Sequence, residues 1–120
     1  MPKILIADDS ASIRQMVSFT LKAGGFEVEE AKDGKQAIEI ASQNHIDLII
    51  SDVNMPEMNG LELTKSLREM SEYRFTPILL LTTEFADDKK TQGKDAGATG
   101  WIVKPFNPET LIRTVNKVMK

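Results

Sequence analysis

The sequence predicts an α/β fold built on a five-stranded parallel sheet. Short apolar runs alternate with segments of helical periodicity, and the runs are ILIA (4–7), FEVEEA (26–31), DLII (47–50), ILLLT (78–82) and GWIV (100–103). Regular strand–helix alternation favours a parallel sheet with helices on both faces. With 120 residues, of which 41% are hydrophobic and 28% charged, the chain has the size and composition of one globular domain.

The composition of each run predicts its place in the sheet. The first, third and fourth runs are apolar throughout, as expected for strands buried on both faces. The second run alternates, with Phe26 and Val28 against Glu27 and Glu29, and the fifth mixes polar with apolar residues. The second and fifth strands are therefore the predicted edges, which gives the order 2-1-3-4-5 with right-handed crossovers. In such a sheet the order reverses between strands one and three, and a site opens at their carboxyl ends.

Helical spacing is clearest in the segments that follow the first and fifth runs. The first segment has an i, i+3, i+4, i+7, i+8 stripe made of Ile13, Met16, Val17, Thr20 and Leu21. The last helix is entered through NPE (107–109), with Pro108 in its first turn. The segment 84–97 has no apolar stripe, so we expect it to be the least stably packed part of the fold and to become ordered on activation.

Composition also excludes several classes of function. The net charge is −3, which argues against a nucleic-acid partner. The chain has no cysteine and one histidine, so it offers neither a disulfide framework nor a zinc cluster. The first ten residues do not form a signal peptide, and no apolar run approaches the roughly 20 residues that span a membrane. We therefore expect a cytoplasmic protein.

Polar side chains follow the strands at the edge where ligands bind. Asp8 and Asp9 lie at the end of strand one, Asp52 at the end of strand three, Thr82 at the end of strand four and Lys104 at the end of strand five. Each has an ordinary structural explanation when taken singly, such as a helix cap or a turn. Together, carboxylates about 5 Å apart repel by about 3 kcal/mol per pair, which favours a bound divalent cation. Oxygen ligands indicate Mg²⁺, with Mn²⁺ as the alternative. The arrangement predicts that Asp52 is a nucleophile for a phosphoryl group, whose oxygens Lys104 and Thr82 receive.

Four motifs resemble the receiver domain of bacterial response regulators, and within that family the CheY-like chemotaxis group. They are ILIADDS, IISDVNMPEMNG, ILLLTTE and WIVKPF, and the resemblance covers essentially the whole chain. It implies a flavodoxin-like (βα)5 three-layer sandwich and a single receiver domain over residues 1–120 without an output domain. It also implies a phosphorylated signalling domain that catalyses only its own phosphorylation and dephosphorylation, and is not otherwise an enzyme.

The resemblance assigns roles to the predicted site residues. Asp52 would be the phosphoacceptor and become 4-aspartylphosphate. Asp9, Asp52 and the backbone carbonyl of Asn54 would bind Mg²⁺, and Asp8 would act largely through water. Lys104 would pair first with the acids and then with the phosphoryl group.

Further residues would control switching and the lifetime of the phosphorylated state. Thr82 would be the switch hydroxyl, and Trp101 stands where related chemotaxis receivers often have Tyr. Asn54 and Glu84 would face the water that attacks the phosphoryl group.

The resemblance implies a monomer that receives its phosphoryl group from a CheA-like histidine kinase. Its downstream partner would be a protein such as a flagellar motor switch or a phosphatase. A phosphate sink or an adaptor outside chemotaxis is an alternative role. A small Mg²⁺-dependent aspartyl phosphatase would usually carry a second acid where this chain has Asn54. A flavodoxin-like electron carrier would need a phosphate-binding first loop, and Asp8 and Asp9 would repel a phosphate there.

Overall fold

The computed structural model describes residues 2–55, 58–82, 94, 96–104 and 107–119. Within these residues strands and helices alternate from the first strand to the third helix, a 3-10 turn at Ser71–Tyr73 precedes the fourth strand, and a fifth strand and a last helix follow among the described residues. The strands are β1 (Lys3–Ala7), β2 (Glu27–Ala31), β3 (Leu48–Asp52), β4 (Ile78–Thr82) and β5 (Gly100–Val103). The helices are α1 (Ala11–Ala23), α2 (Gly34–Gln43), α3 (Gly60–Glu69) and α4 (Pro108–Val118).

All five strands form one parallel sheet in the order β2-β1-β3-β4-β5. The predicted order and both predicted edge strands are confirmed. Strands β4 and β5 coincide with the predicted runs, whereas β3 continues two residues beyond its run, through Ser51 to Asp52. Asp52 is the last residue of this strand, as predicted.

Two apolar clusters cover the two faces of the sheet and make the fold a three-layer sandwich. One cluster joins Leu5, Ile49 and Ile78 of the sheet to α2 and α3. The other joins Ile6 and Ile50 to α1 and α4. Neighbouring residues of a strand point to opposite faces, so β1, β3 and β4 supply both clusters, as their unbroken apolar runs predict.

Helix α1 buries a different stripe from the one predicted. Val17 and Leu21 are fully buried as expected, but Met16 is 39% exposed, and Ser18 is buried in its place. Met16 lies beside α4, where the two helices leave an open groove. The prediction that Met16 belongs to the core is therefore wrong. The spacing of apolar residues along one helix does not show which of them a neighbouring helix buries.

Side-chain caps begin the helices. Ser10 caps α1, accepting a hydrogen bond from the Ile13 N–H, and Asn107 caps α4 with Pro108 in the first turn as predicted. Such caps fix the point at which each loop turns into a helix. The loops at the carboxyl edge of the sheet are thus held at their far ends.

Two predictions concern residues outside the described ranges. One is the role of Glu84, and the other is the weak packing of the segment 84–97, most of which is not described. Among the described helices, none has the length and apolar character needed to cross a membrane.

Candidate functional site

Three aspartates meet at the carboxyl edge of the sheet, where β1 and β3 lie side by side. Asp8 directly follows β1 and Asp52 ends β3, and their strands pair through Ala7 and Ser51. One carboxylate oxygen from each of Asp8, Asp9 and Asp52 lies within 4.8 Å of the others. The convergence predicted from the strand order is confirmed.

Lys104 reaches into this cluster from the other side. Its Nζ lies 3.2 Å from Asp8 Oδ2 and 3.3 Å from Asp52 Oδ1, and its side chain is only 15% exposed. The backbone N–H of Lys104 donates to the Thr82 carbonyl at 2.8 Å, which continues the β4–β5 ladder by one more bond. The ammonium therefore bridges two acids from a fixed position on the sheet.

Asp8 is fully buried and is held by the first turn of α1. Its Oδ1 accepts a hydrogen bond from the Ser10 N–H at 2.9 Å, and its carbonyl accepts one from Arg14 Nη1 at 2.7 Å. Since Ser10 provides the helix cap, the alternative explanation of Asp9 as a cap does not hold. Asp9 is exposed, so it presents its carboxylate at the open side of the cluster.

The environment of Asp52 opposes the loss of its proton. Burial raises the pKa of Asp52, and the nearby charge of Asp8 raises it further. Lys104 and a hydrogen bond from the Asn54 backbone N–H lower the pKa and offset part of this effect. A carboxylate with a raised pKa is a more basic nucleophile, and a cation bound among these acids would favour its ionised form.

The described residues of the loop after Asp52 (53–55 and 58–59) make contacts with neighbouring parts of the fold. The Val53 N–H donates to the Leu81 carbonyl at 3.1 Å, and Met55 is buried in the cluster beneath α2 and α3. Met58 packs so closely on α2 that a Cβ on Gly34 would lie 2.7 Å from the Met58 Cβ. The two methionines of the motif therefore anchor the loop that carries the Asn54 carbonyl.

Gly60, the last residue of the motif IISDVNMPEMNG, lies where α3 meets the end of β3. It is the first residue of α3, and its N–H donates to the Val53 carbonyl at 3.0 Å. A Cβ at this position would lie 3.0 Å from Val53 Cα and 3.1 Å from the Asp52 carbonyl carbon. Glycine is required here because helix α3 starts in contact with the backbone of Asp52.

The other predicted site residues lie around the acids. Thr82 is buried at the end of β4, and Asn54 is exposed in the loop. Trp101 is half-buried on β5 and pairs with Leu80, so it shares the face of the sheet that carries Thr82 two residues on. The roles predicted for these residues stay predictions.

Comparison with known families shows the family of this chain. The family described as "Response regulator receiver domain" matches residues 4–116. The chain belongs to the response regulator receiver family.

Solved structures of receivers resemble this chain over almost its full length. The Vibrio cholerae chemotaxis protein CheY4 is 58% identical, with a TM-score of 0.96 and 98% of each chain covered. The receiver domain of the Pseudomonas aeruginosa sensor histidine kinase PA1611 is 25% identical, with a TM-score of 0.91, and 98% of this chain and 97% of that chain are covered. That structure has a magnesium ion coordinated in its active-site cleft.

Curated relatives include longer proteins with a receiver. The transcriptional regulatory protein SrrA of Staphylococcus aureus is 35% identical over 118 residues, which is 98% of this chain. The match is 48% of SrrA, so the chain spans about half the length of the curated relatives it matches. The receiver fold predicted from the sequence is confirmed, and receivers interact with histidine kinases.

Proposed function

We propose that this receiver takes a phosphoryl group from the phosphohistidine of a histidine kinase onto Asp52. In this step a carboxylate oxygen of Asp52 forms a bond to phosphorus, the P–N bond breaks, and the imidazole keeps that electron pair. Hydrolysis of the resulting acyl phosphate returns the carboxylate and releases phosphate. Because the chain acts only on its own side chain, we classify it as a signalling domain and not as an enzyme with a separate substrate.

One observation carries this proposal: the Lys104 ammonium lies within 3.3 Å of both Asp8 and Asp52 at an edge lined by three acids. An ammonium in this position lowers the repulsion that an incoming phosphoryl group would meet. The Thr82 hydroxyl ends the adjacent strand, where a further phosphoryl oxygen could be received.

The acids fit Mg²⁺, or Mn²⁺ in its place. Three carboxylates with ligand atoms within 4.8 Å of one another suit a hard cation that is bound by oxygen. We assign Asp9, Asp52 and the Asn54 backbone carbonyl to the cation, with Asp8 acting through water. When bound, the cation neutralises charge on the phosphoryl oxygens. The residues of the chain then orient the carboxylate and its lysine partner.

We further propose that the receiver acts as a cytoplasmic monomer in chemotaxis, through a protein surface that phosphorylation changes. Support comes from the 58% identity to CheY4, which is a chemotaxis protein. A CheA-like kinase would be the donor, and a motor switch or a phosphatase the target. The 35% identity to SrrA favours a second candidate, a receiver that regulates transcription within a longer protein.

The assignment of Asp52 can be tested by mass spectrometry after incubation with a small phosphodonor and Mg²⁺. The parent should gain one phosphoryl group, and it should gain none when a chelator is present. Asp52→Asn should gain none, whereas the control Asp33→Asn should be labelled like the parent, because an asparagine side chain can also cap α2. Labelling of Asp52→Asn at the parental rate would refute the proposal.

Turnover distinguishes the competing activities. A phosphatase would release phosphate steadily from added esters, and we expect this receiver to release no more than its own phosphoryl group. Sustained turnover that depends on Asp52 would favour the phosphatase. Binding of the phosphorylated form to a motor-switch protein would separate a chemotaxis role from that of a sink.

A further inference from the structure

Ser51, the residue before the proposed phosphoacceptor Asp52, has a buried hydroxyl. Ser51 is fully buried, on the face of the sheet that is otherwise covered by the apolar cluster of α2 and α3. Inward residues of this face such as Leu5, Ile49 and Ile78 are apolar. Burying a hydroxyl among apolar groups is unfavourable unless the hydroxyl is hydrogen-bonded, so its partner matters.

The partner of Ser51 is the backbone of the acid itself. Ser51 Oγ donates to the Asp52 carbonyl at 2.9 Å. On the other side of the same peptide unit, the Val53 N–H donates to the Leu81 carbonyl at 3.1 Å. Both polar groups of the peptide between Asp52 and Val53 are therefore held, which fixes its plane.

The start of α3 supports the same peptide. Gly60 approaches the Asp52 carbonyl carbon so closely that a Cβ there would lie 3.1 Å from it. The Gly60 carbonyl accepts a hydrogen bond at 2.7 Å from the hydroxyl of Thr64, which is also fully buried. The helix thus closes one side of the peptide and the serine hydroxyl binds its oxygen.

The geometry points to Ser51 as a positioning residue for Asp52, an inference that rests on the proposed function. The plane of the peptide after Asp52 sets the direction in which the chain leaves β3. It therefore sets the separation between the Asp52 carboxylate and the Asn54 carbonyl, the two groups of this segment that we assign to the cation. Without the hydroxyl this plane can rotate, so the nucleophile is aligned in a smaller fraction of molecules. The contacts that a phosphodonor makes are not changed.

The expected effect is on the maximal rate and not on the apparent affinity for the donor. One neutral hydrogen bond contributes about 0.5–1.5 kcal/mol, which corresponds to about a two- to tenfold change in rate. Ser51→Ala should therefore lower the maximal rate of phosphorylation by a small donor several-fold, with little change in KM. Ser51→Thr keeps the hydroxyl and should recover most of the rate.

Ser18→Ala provides the matched control, because Ser18 is also a buried serine but belongs to α1. Any general cost of removing a buried hydroxyl should appear in this variant as well, without a loss of rate. A second readout does not depend on phosphorylation. The amide NMR signals of Val53 and Asn54 should shift in Ser51→Ala, return toward parental values in Ser51→Thr, and stay unchanged in Ser18→Ala.

The results separate this inference from the proposed function. If the parent is labelled on Asp52 and Ser51→Ala reacts at the parental rate with unshifted amide signals, Ser51 has no positioning role. An equal loss of rate in Ser51→Ala and Ser18→Ala would also overturn the inference. A parent protein that is not labelled on Asp52 would overturn the proposed function and this inference together. If Ser51→Thr does not fold, the rate and amide shifts of Ser51→Ala against Ser18→Ala still decide the question.

Discussion

Replacing Lys104 with methionine should expose the repulsion between Asp8 and Asp52. Methionine keeps the unbranched side chain and removes the ammonium. At 3.2 and 3.3 Å, each ion pair of Lys104 is worth about 5 kcal/mol of Coulomb attraction at an effective dielectric constant near 20. At separations up to 4.8 Å, two ionised acids of the cluster repel by at least about 3 kcal/mol on the same scale. Removing one partner of a buried pair typically costs about 3–5 kcal/mol after relaxation, and we expect that loss of stability here.

Urea unfolding in a chelating buffer at about pH 7.5 measures this loss. The difference from the parent should shrink when Mg²⁺ is added, because the acids should bind the cation more tightly without the competing ammonium, and mass action then stabilises the variant more than the parent. It should also shrink at about pH 5. The pKa of Asp52 is already raised, and without Lys104 it rises further, so the folded variant takes up a proton at a higher pH than the unfolded chain. Its unfolding free energy therefore increases as the pH falls.

The control is Lys65→Met, which removes an exposed ammonium from α3 and should change stability by less than about 0.5 kcal/mol. If Lys104→Met unfolds within about 1 kcal/mol of the parent in the chelating buffer, the electrostatic account of the cluster is wrong. If the difference in unfolding free energy between Lys104→Met and the parent is the same at the lower pH, repulsion between the ionised carboxylates is not its cause.

Three further predictions concern the same edge of the sheet. Gly60→Ala should lose about 1–2 kcal/mol of unfolding free energy, since contact with the Val53 backbone outweighs the roughly 1 kcal/mol that Ala gains in a helix; equal or greater stability would refute the close approach. The unfolding free energy of the parent should fall as the pH rises through the raised pKa of Asp52, and it should change less in Asp52→Asn, as urea unfolding across pH would show. Mg²⁺ with a phosphoryl mimic should change the fluorescence of Trp101, the only tryptophan, much less in Thr82→Ala than in the parent or in Thr82→Ser; equal changes in all three would remove Thr82 from the switch.

Strand order and the meeting of the acids could be predicted because they follow from local patterns. An unbroken apolar run indicates a strand that is buried on both faces, and an alternating run indicates one exposed face. Parallel strands bring their carboxyl ends to one edge of the sheet. The strand ends predicted that Asp8, Asp52 and Lys104 lie together. In the structure, carboxylate oxygens of Asp8 and Asp52 lie within 3.3 Å of the Lys104 ammonium.

The remaining features depend on contacts between distant parts of the chain. Glycine is needed at Gly60 because the start of α3 contacts the end of β3, which the motif alone does not show. Ser51 lies just past the predicted third run (47–50), and only the direction of its hydroxyl shows its link to Asp52. Met16 lies on the apolar stripe of α1, but α4 does not bury it, and it lines the open groove between the two helices. None of these contacts has a signature in the spacing of residue types.

The hydrogen bond from the Lys104 N–H to the Thr82 carbonyl restricts how the receiver can respond. A translation of the Thr82 backbone would carry Lys104 with it and lengthen both ion pairs of the ammonium. Rotation about the Cα–Cβ bond moves the Thr82 hydroxyl while the carbonyl stays in place. Such a rotation proceeds between staggered positions about 120° apart and has no stable intermediate angle. We therefore expect each molecule to be in one of a few discrete states, so that a graded signal can arise only from the fraction of molecules in each state.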